Sequence, residues 1–516
     1  MKRKGLLLLT LSPLFLLSMV GCFKQEVPSF HSSTIDESDI TTTGGDVNPI
    51  PNQTYDTFWD PQTYVQLDIR MSQEAAEFIN NYQSSTDSTY HDYYVPCTVI
   101  VRLDANVYTF EEVGIRQKGN LSRTQMLING NFSLDSLAHY KLNFKQTFDD
   151  EEYSTIQALK PFKKTWEDSS KRKERKNRRL FDMEKIDIKW NRNDDQTRVR
   201  QSYALKTFRE NGVLAGHSTL GLISMGINNK TPVNATYEIF ECIDESFIQK
   251  NFEAEEAEGD LYKCTYSGTG PANFSDSYTV GNQIGVENNV TNYHPSYDLK
   301  TNKKKNTTHT NLLNLRTAIN DKTSSASEYI TNIEQYIDME EFMKYESIAY
   351  LMGNFDDMRN NANNYYIYIT KTTKKAYFIP YDFDRCLGCG CLGKQDYMTN
   401  FSPESTKMQC NGDWQSINLF WRTVCSSSDS ASGHQNVERV EKYRAMYQKN
   451  IEDLLNNGTI SSQSFTSYVN SFSTEYRGNP NGSGDGNTTF SNYLSKKIQA
   501  IKRSNNDGLI NYDIKV

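Results

Sequence analysis

The chain has 516 residues, 37% of them hydrophobic, and a formal net charge of −8. That length accommodates one large two-part domain or two to three ordinary ones, and 32 Tyr and 25 Phe supply ample material for a core. The acidic balance excludes attraction to nucleic acid through bulk charge.

The first residues read as an export signal. Met1 to Lys4 are basic, and Leu6 to Val20 form an apolar run too short for a comfortable membrane span. Met19-Val20-Gly21-Cys22 resembles a bacterial lipoprotein cleavage site, although Leu usually stands three positions before the Cys. The expectation is a signal peptide over 1–21, a lipid on Cys22, and a protein held outside the cytoplasm on the bacterial cell membrane. A plain secretory signal would leave Cys22 incidental. Residues 22–55, rich in Ser, Thr and Asp, read as a flexible tether, and the folded domain is expected over 56–516.

Export changes how the other eight cysteines read, because an even number outside the cytoplasm is compatible with disulfides. The alternative is metal binding by Cys386-x-x-Cys389-x-Cys391 with Cys410, although paired CxxC knuckles are missing. The connectivity stays open.

From Trp59 the pattern is strand-like. Val65 to Met71 alternates apolar and polar, Ser72 to Asn80 reads as a short helix, and Tyr94–Leu103 and Val107–Ile115 read as strands. They lead to Gly114-Ile115-Arg116-Gln117-Lys118-Gly119-Asn120, then to the strand Tyr140-Lys141-Leu142-Asn143-Phe144. Glycine beside basic residues suits close approach of backbone to a phosphate, with Lys141 as a charge partner, but an ordinary turn has the same composition. Lys163 to Arg179 carries nine Lys/Arg against three Asp/Glu, which reads as a solvated insertion or as a patch for an acidic partner. Gln196–Asn211 reads as a helix containing Arg200. Leu220–Ile227 and Ala235–Cys242 read as strands, and residues 265–310 as a long polar excursion.

Asp338 to Met352 is the best-marked helix, with Asp338 and Glu341 as a capping box and Gly353 as its stop. It feeds the acidic doublet Asp356-Asp357. Tyr365–Ile369 and Ala376–Pro380 then read as a hairpin, with Asn360, Asn361, Asn363 and Asn364 at its entrance and Asp382 and Asp384 at its exit. Such a convergence of Asp and Asn suits a hard cation that takes oxygen ligands, while turn capping explains the same residues. Val437–Asn456, Phe465–Tyr476 and Tyr493–Arg503 read as core helices.

Several motifs in this order resemble the spore-coat protein H (CotH) kinases, a family of atypical protein kinases. They are Gly114-Ile115-Arg116-x-x-Gly119-Asn120-x-Ser122, Tyr140-Lys141-Leu142-x-Phe144, Arg200 in its helix, Tyr237-x-x-x-Glu241-x-Ile243-Asp244, Leu261-Tyr262-Lys263, Asn354-Phe355-Asp356, Asn364-Tyr365-Tyr366-Ile367-Tyr368 and Ile379-Pro380-Tyr381-Asp382-x-Asp384. The resemblance implies an α+β, atypical protein-kinase-like two-lobed fold, with a strand-rich N-terminal half and a helical C-terminal half. Its N-lobe is expected over about 60–265, an insertion over about 265–310 and a C-lobe over about 311–516.

The implied reaction is transfer of the ATP γ-phosphate to Ser/Thr of surface or coat proteins, with Mg²⁺ or Mn²⁺. By the same resemblance Arg116, Gly119 and Asn120 lie at the nucleotide phosphates and Lys141 pairs with them. Glu241 is the partner acid of Lys141, Asp356 orients the acceptor hydroxyl, and Asn364 and Asp382 bind metal, with Asp357 and Asp384 secondary. The chain departs from the family pattern at Asn363, where a His is common. Two other readings compete: a catalytically inactive surface protein used in adhesion or envelope assembly, and a Ca²⁺- or glycan-binding domain.

Overall fold

Alternation in Val65 to Met71 produces β1 (Val65–Met71), whose even-spaced apolar side chains are buried. The computed structural model describes residues 53–85, 87–119, 122–191, 193–389, 418–424, 437–485, 487–506 and 512–516. The signal, Cys22, Asn120, Cys391, Cys410 and Cys425 lie outside these residues. Among the described residues no helix is long and apolar enough to cross a membrane.

Seven strands close into a barrel. Besides β1 they are β2 (Val95–Leu103), β3 (Asn106–Lys118), β6 (His139–Asn143), β7 (Lys185–Trp190), β8 (Ser218–Ile227) and β9 (Val233–Glu241). A two-strand excursion, β4 (Leu127–Ile128) and β5 (Asn131–Phe132), interrupts the sequence between β3 and β6. The spatial order is β1-β2-β3-β6-β7-β9-β8, and β8 closes it by pairing in parallel with β1. Ile69 therefore lies opposite Val99 on one side and Met225 on the other. These residues share an apolar cluster with Ile115, Leu142, Ile186, Ile188 and Ile239.

A second sheet follows, in the order β11-β12-β10-β13-β14, from β10 (Asp260–Cys264), β11 (Ile284–Gly285), β12 (Tyr297–Leu299), β13 (Tyr365–Ile369) and β14 (Ala376–Pro380). It shares a large core with the helices Thr310–Ile319, Met339–Met352, Glu441–Asn456, Ser462–Ser471 and Phe490–Asn506. Leu261, Tyr366, Tyr368 and Ile379 of the sheet pack against Phe247 and Ile248, which follow the last barrel strand.

The expected strands and helices form within a few residues of their predicted bounds, with informative differences. The helix Met339–Met352 has half a capping box: the Asp338 carboxylate accepts from Glu341 N at 3.2 Å, but the Glu341 side chain accepts from Leu214 N at 2.8 Å instead of returning to the cap. Strand β10 pairs with β12 and β13 and so belongs to the second sheet. The excursion expected over 265–310 supplies β11 and β12 and buries Phe274, Tyr297 and Leu299. The basic stretch forms a pinned helix, Ser169–Asn177, with Arg175 on Glu112 at 2.8 Å and Arg172 paired to Asp149. The tether stops by Gln53, because the helix Gln53–Trp59 places the Tyr55 hydroxyl 2.7 Å from Glu241. Cys97, Cys242, Cys264, Cys386 and Cys389 are buried free thiols, so none of these five forms a disulfide.

Candidate active site

Register collects the charged residues. In β3, β6, β7 and β9, Arg116 stands opposite Lys141, Lys141 opposite Asp187, Asp187 opposite Phe240, and Lys189 opposite Glu238. Residues directly opposite share a face, and the period of two sends their apolar neighbours Ile115, Leu142, Ile186 and Ile239 to the other. Along these pairs, and short of Glu241 at the end of β9, one face of the wall is apolar and the other carries the charges.

Asp187 is the hub of that face. Its carboxylate lies 2.9 Å from Lys118 Nζ and 3.0 Å from Lys141 Nζ, and only 1% of the residue is exposed. Burial alone would raise its pKa, but Lys118 and Lys141 outweigh that and hold it far below the usual carboxylate range. Burial works against the Lys141 charge, and Asp187 restores it, leaving its pKa well above that of a free lysine. Lys141 also donates to Cys242 Sγ at 3.3 Å.

Glu241, expected as the acid for Lys141, stands opposite Ile186 and so faces the other way. It takes Lys250 at 2.8 Å, His217 Nδ1 at 3.0 Å and the Tyr55 hydroxyl. The partner acid of Lys141 is Asp187. Sequence reasoning missed β7 although Lys185-Ile186-Asp187-Ile188-Lys189-Trp190 alternates cleanly.

The second sheet brings the opposing carboxylates. Lys189 Nζ pairs with Asp382, lies 3.2 Å from Asp384 Oδ2, and donates to Gln201 Oε1 at 3.1 Å. Burial pushes the Asp382 carboxyl up, but Lys189, Lys118 and His139 together hold it well below its ordinary value. In Asp384 burial and the neighbouring Asp382 prevail over Lys189, and its pKa is raised. Asp382 and Asn364 both sit in the left-handed backbone region, with φ of 56° and 55°. Asn354 ties the two acidic loops together: its Oδ1 accepts from Asp356 N at 3.2 Å and its Nδ2 donates to the Asp382 carbonyl at 3.4 Å.

The doublet divides. Asp356 is held by three amides: its Oδ1 accepts from Asn361 at 2.8 Å and Asn363 at 3.0 Å, and its Oδ2 from Asn364 at 3.1 Å. Burial raises its pKa, the Asn361 and Asn363 donors oppose that, and Asp382 adds to it, leaving a net rise. Such a carboxylate is better suited to accept a proton than a free one. Asp357 is 2% exposed and points into the helical core, where its charge is felt by Lys497 and Glu346.

Other expected residues fall at different distances from this cluster. Arg116 is engaged by the His91 carbonyl at 2.7 Å and Asp92 at 3.2 Å. Gly119 adopts φ of 110°, and a Cβ there would meet Ser122 Oγ at 2.0 Å. Arg200 is a buried tie, donating to the carbonyls of Leu387, Gly482 and Thr488 at 2.5 to 3.0 Å. Cys386 donates to the Arg200 carbonyl at 3.5 Å, which places this cysteine against the helix that carries Arg200. Among the described residues no three His, Cys, Asp or Glu are grouped as metal ligands. The donor set at the loops consists of oxygens from Asp356, Asn364, Asp382 and Asp384, which suits a hard cation better than zinc.

A comparison with curated proteins gives no match. Among solved structures, the crystal structure of a Helicobacter pylori proinflammatory kinase, CtkA, is similar to this chain at a TM-score of 0.27 and 10% identity. The match covers 62% of this chain and 92% of that one. The family model described as CotH kinase protein matches residues 115–502, well over half of the chain. The chain belongs to the CotH kinase family, and is a kinase-like protein.

Proposed function

We propose that the protein transfers the γ-phosphate of ATP to Ser or Thr hydroxyls of surface or coat proteins, using a two-lobed arrangement in which the barrel and the second sheet face each other. The observation that carries this reading is the meeting of Lys118, Lys141 and Lys189 on barrel strands with Asp187, Asp382 and Asp384. Lys141 and Lys118, oriented by Asp187, hold the nucleotide phosphates. Asp382 and the side-chain oxygen of Asn364 would hold Mg²⁺ or Mn²⁺, which when bound supplies neutralisation of phosphate charge. Lys189, which pairs with Asp382, would have to release that carboxylate before it could serve a metal. Asp356, fixed by its three amides, accepts the hydrogen bond of the acceptor hydroxyl and receives its proton. Positioning and charge neutralisation carry most of the rate in such a transfer.

The test uses purified protein, γ-labelled ATP, Mn²⁺ or Mg²⁺ and a generic acceptor protein. Asp382→Ala should lower phosphotransfer by on the order of 10³-fold or more. Equal labelling by wild type and Asp382→Ala sinks the reading. A second reading, a catalytically silent surface protein used in adhesion or envelope assembly, is favoured by the pairing of Lys189 with Asp382. It requires that ATP with Mn²⁺ leave the melting temperature unchanged. The lipid anchor on Cys22 belongs to the same proposal. Metabolic labelling with a fatty acid should mark the protein and fail to mark Cys22→Ser.

A further inference from the structure

We propose that Lys263 is a phosphate-binding residue acting from the second sheet, opposite Lys118 and Lys141 of the barrel. The inference rests on the nucleotide-phosphate reading above and adds a cation to it from the other side of the cleft.

Strand register sets its direction. Lys263 stands opposite Tyr366 of β13 and Asp298 of β12, so the three share a face. Tyr366 packs edge-on against Tyr381 at 5.2 Å, immediately before Asp382 in the chain. The Lys263 ammonium lies 5.4 Å from the centre of the Tyr381 ring, and the Lys118 ammonium lies 5.1 Å from the same centre. Two lysines from two different sheets therefore meet around one aromatic ring.

Among the described residues Lys263 has no carboxylate at ion-pair distance. Asp298, opposite it in register, is paired to Lys300 and also accepts from Glu287 N at 2.9 Å. Glu287 in turn is shared by His294 at 3.0 Å and Lys300 at 3.4 Å. Burial and then the charge of Lys300 bring Lys263 down to about 8; Glu287 opposes them, and Lys118 and Lys141 add smaller contributions in the lowering direction. A cation–π contact alone is a weak reason to keep an ammonium group half-buried among other lysines.

A polyanion supplies the missing partner. Lys118 and Lys141 share a single carboxylate, so they retain one net positive charge, and Lys263 doubles it. A triphosphate carries enough negative charge to engage all three, and its length lets one chain of phosphates reach from barrel to second sheet. Lys263 then ties the two sheets together through the ligand.

The experiment measures binding of inorganic tripolyphosphate and of ATP with Mn²⁺ to the full-length protein, by calorimetry and by melting temperature. The variants are Lys263→Met, Lys263→Gln, Lys263→Arg and Lys141→Met, with Lys374→Met in the exposed hairpin turn as control. Loss of one charge-assisted contact should weaken tripolyphosphate binding about tenfold or more in Lys263→Met and Lys263→Gln. Lys263→Arg should keep most of the affinity and Lys374→Met all of it. Without ligand, Lys263→Met should melt no lower than wild type, because an uncompensated cation has been removed. If Lys263→Met and Lys263→Gln bind like wild type while Lys141→Met does not, the phosphate cleft stands and the role of Lys263 falls. If wild type binds neither tripolyphosphate nor ATP, both fall.

Discussion

Replacing Asp187 by Asn leaves Lys118 and Lys141 together on a buried wall with no carboxylate between them. Breaking a buried ion pair from one side costs about 3–5 kcal/mol, so Asp187→Asn should lose roughly that much in urea unfolding and also lower phosphotransfer. Glu241→Gln offers the contrast. It loosens Tyr55, His217 and Lys250, and should lower stability while leaving the affinity for ATP within about threefold of wild type. Equal effects of the two substitutions on nucleotide affinity would contradict the assignment of Asp187 as the acid that serves Lys141.

A second residue-scale expectation concerns pH. Glu346 is fully buried, and burial, aided by Asp357 and opposed by Arg359, raises its pKa to about 8. An unfolded Glu titrates near about 4.3. Between those values the native state holds a proton that the unfolded chain has released, so stability falls as pH rises through that window. Lys497 acts in the opposite sense: burial and Arg359 lower it to about 7, so from there to about 10.4 the unfolded chain binds more protons and stability rises. Glu346→Gln should flatten the decline between about pH 5 and 8 in chemical unfolding. A decline of unchanged slope would show that Glu346 is not its source.

At the scale of elements, the turn after β3 is built on Gly119, whose φ of 110° and contact with Ser122 exclude a side chain. Gly119→Ala should cost about 1 kcal/mol or more and weaken ATP binding, because Lys118 enters the site from the neighbouring position. In the hairpin, Lys374 adopts φ of 58° in an exposed turn. Lys374→Gly should stabilise the protein by up to about 1 kcal/mol with no change in activity. Periodicity made most elements legible: β1, β2, β13, β14 and the helix Met339–Met352 all follow from alternation, propensity and caps. The return half of the capping box was not legible, because a backbone amide at Leu214, 127 positions away, claims the Glu341 carboxylate. The role of 265–310 was hidden for a related reason. Strands of two and three residues carry too little alternation to stand out, and pairing of β12 with β10 and of β11 with β12 is what stabilises them.

At the scale of the whole molecule, the second sheet depends on that stretch. Replacing residues 266–300 with a flexible linker of equal length removes β11 and β12 and exposes the core around Tyr262 and Leu261. The variant should be insoluble or unfold without a cooperative transition, whereas a dispensable insertion would leave melting unchanged.

The acidic hairpin, the Gly/Lys strands before it and their order along the chain were determined by sequence, because local patterns and turn chemistry report on neighbours in the chain. The partners of those residues were decided only by tertiary structure. Asp187 in place of Glu241 depends on which face a strand turns toward its neighbour. Lys189 on Asp382, and Asp356 rather than Asp357 beside three amides, depend instead on how the loops after the helix Met339–Met352 and after β14 fold. Contacts of this kind bridge long gaps in sequence: 193 residues separate Lys189 from Asp382. A one-residue difference in a strand reverses the face, so the residue types can be read from the chain while their pairing is set by the closed barrel and the second sheet.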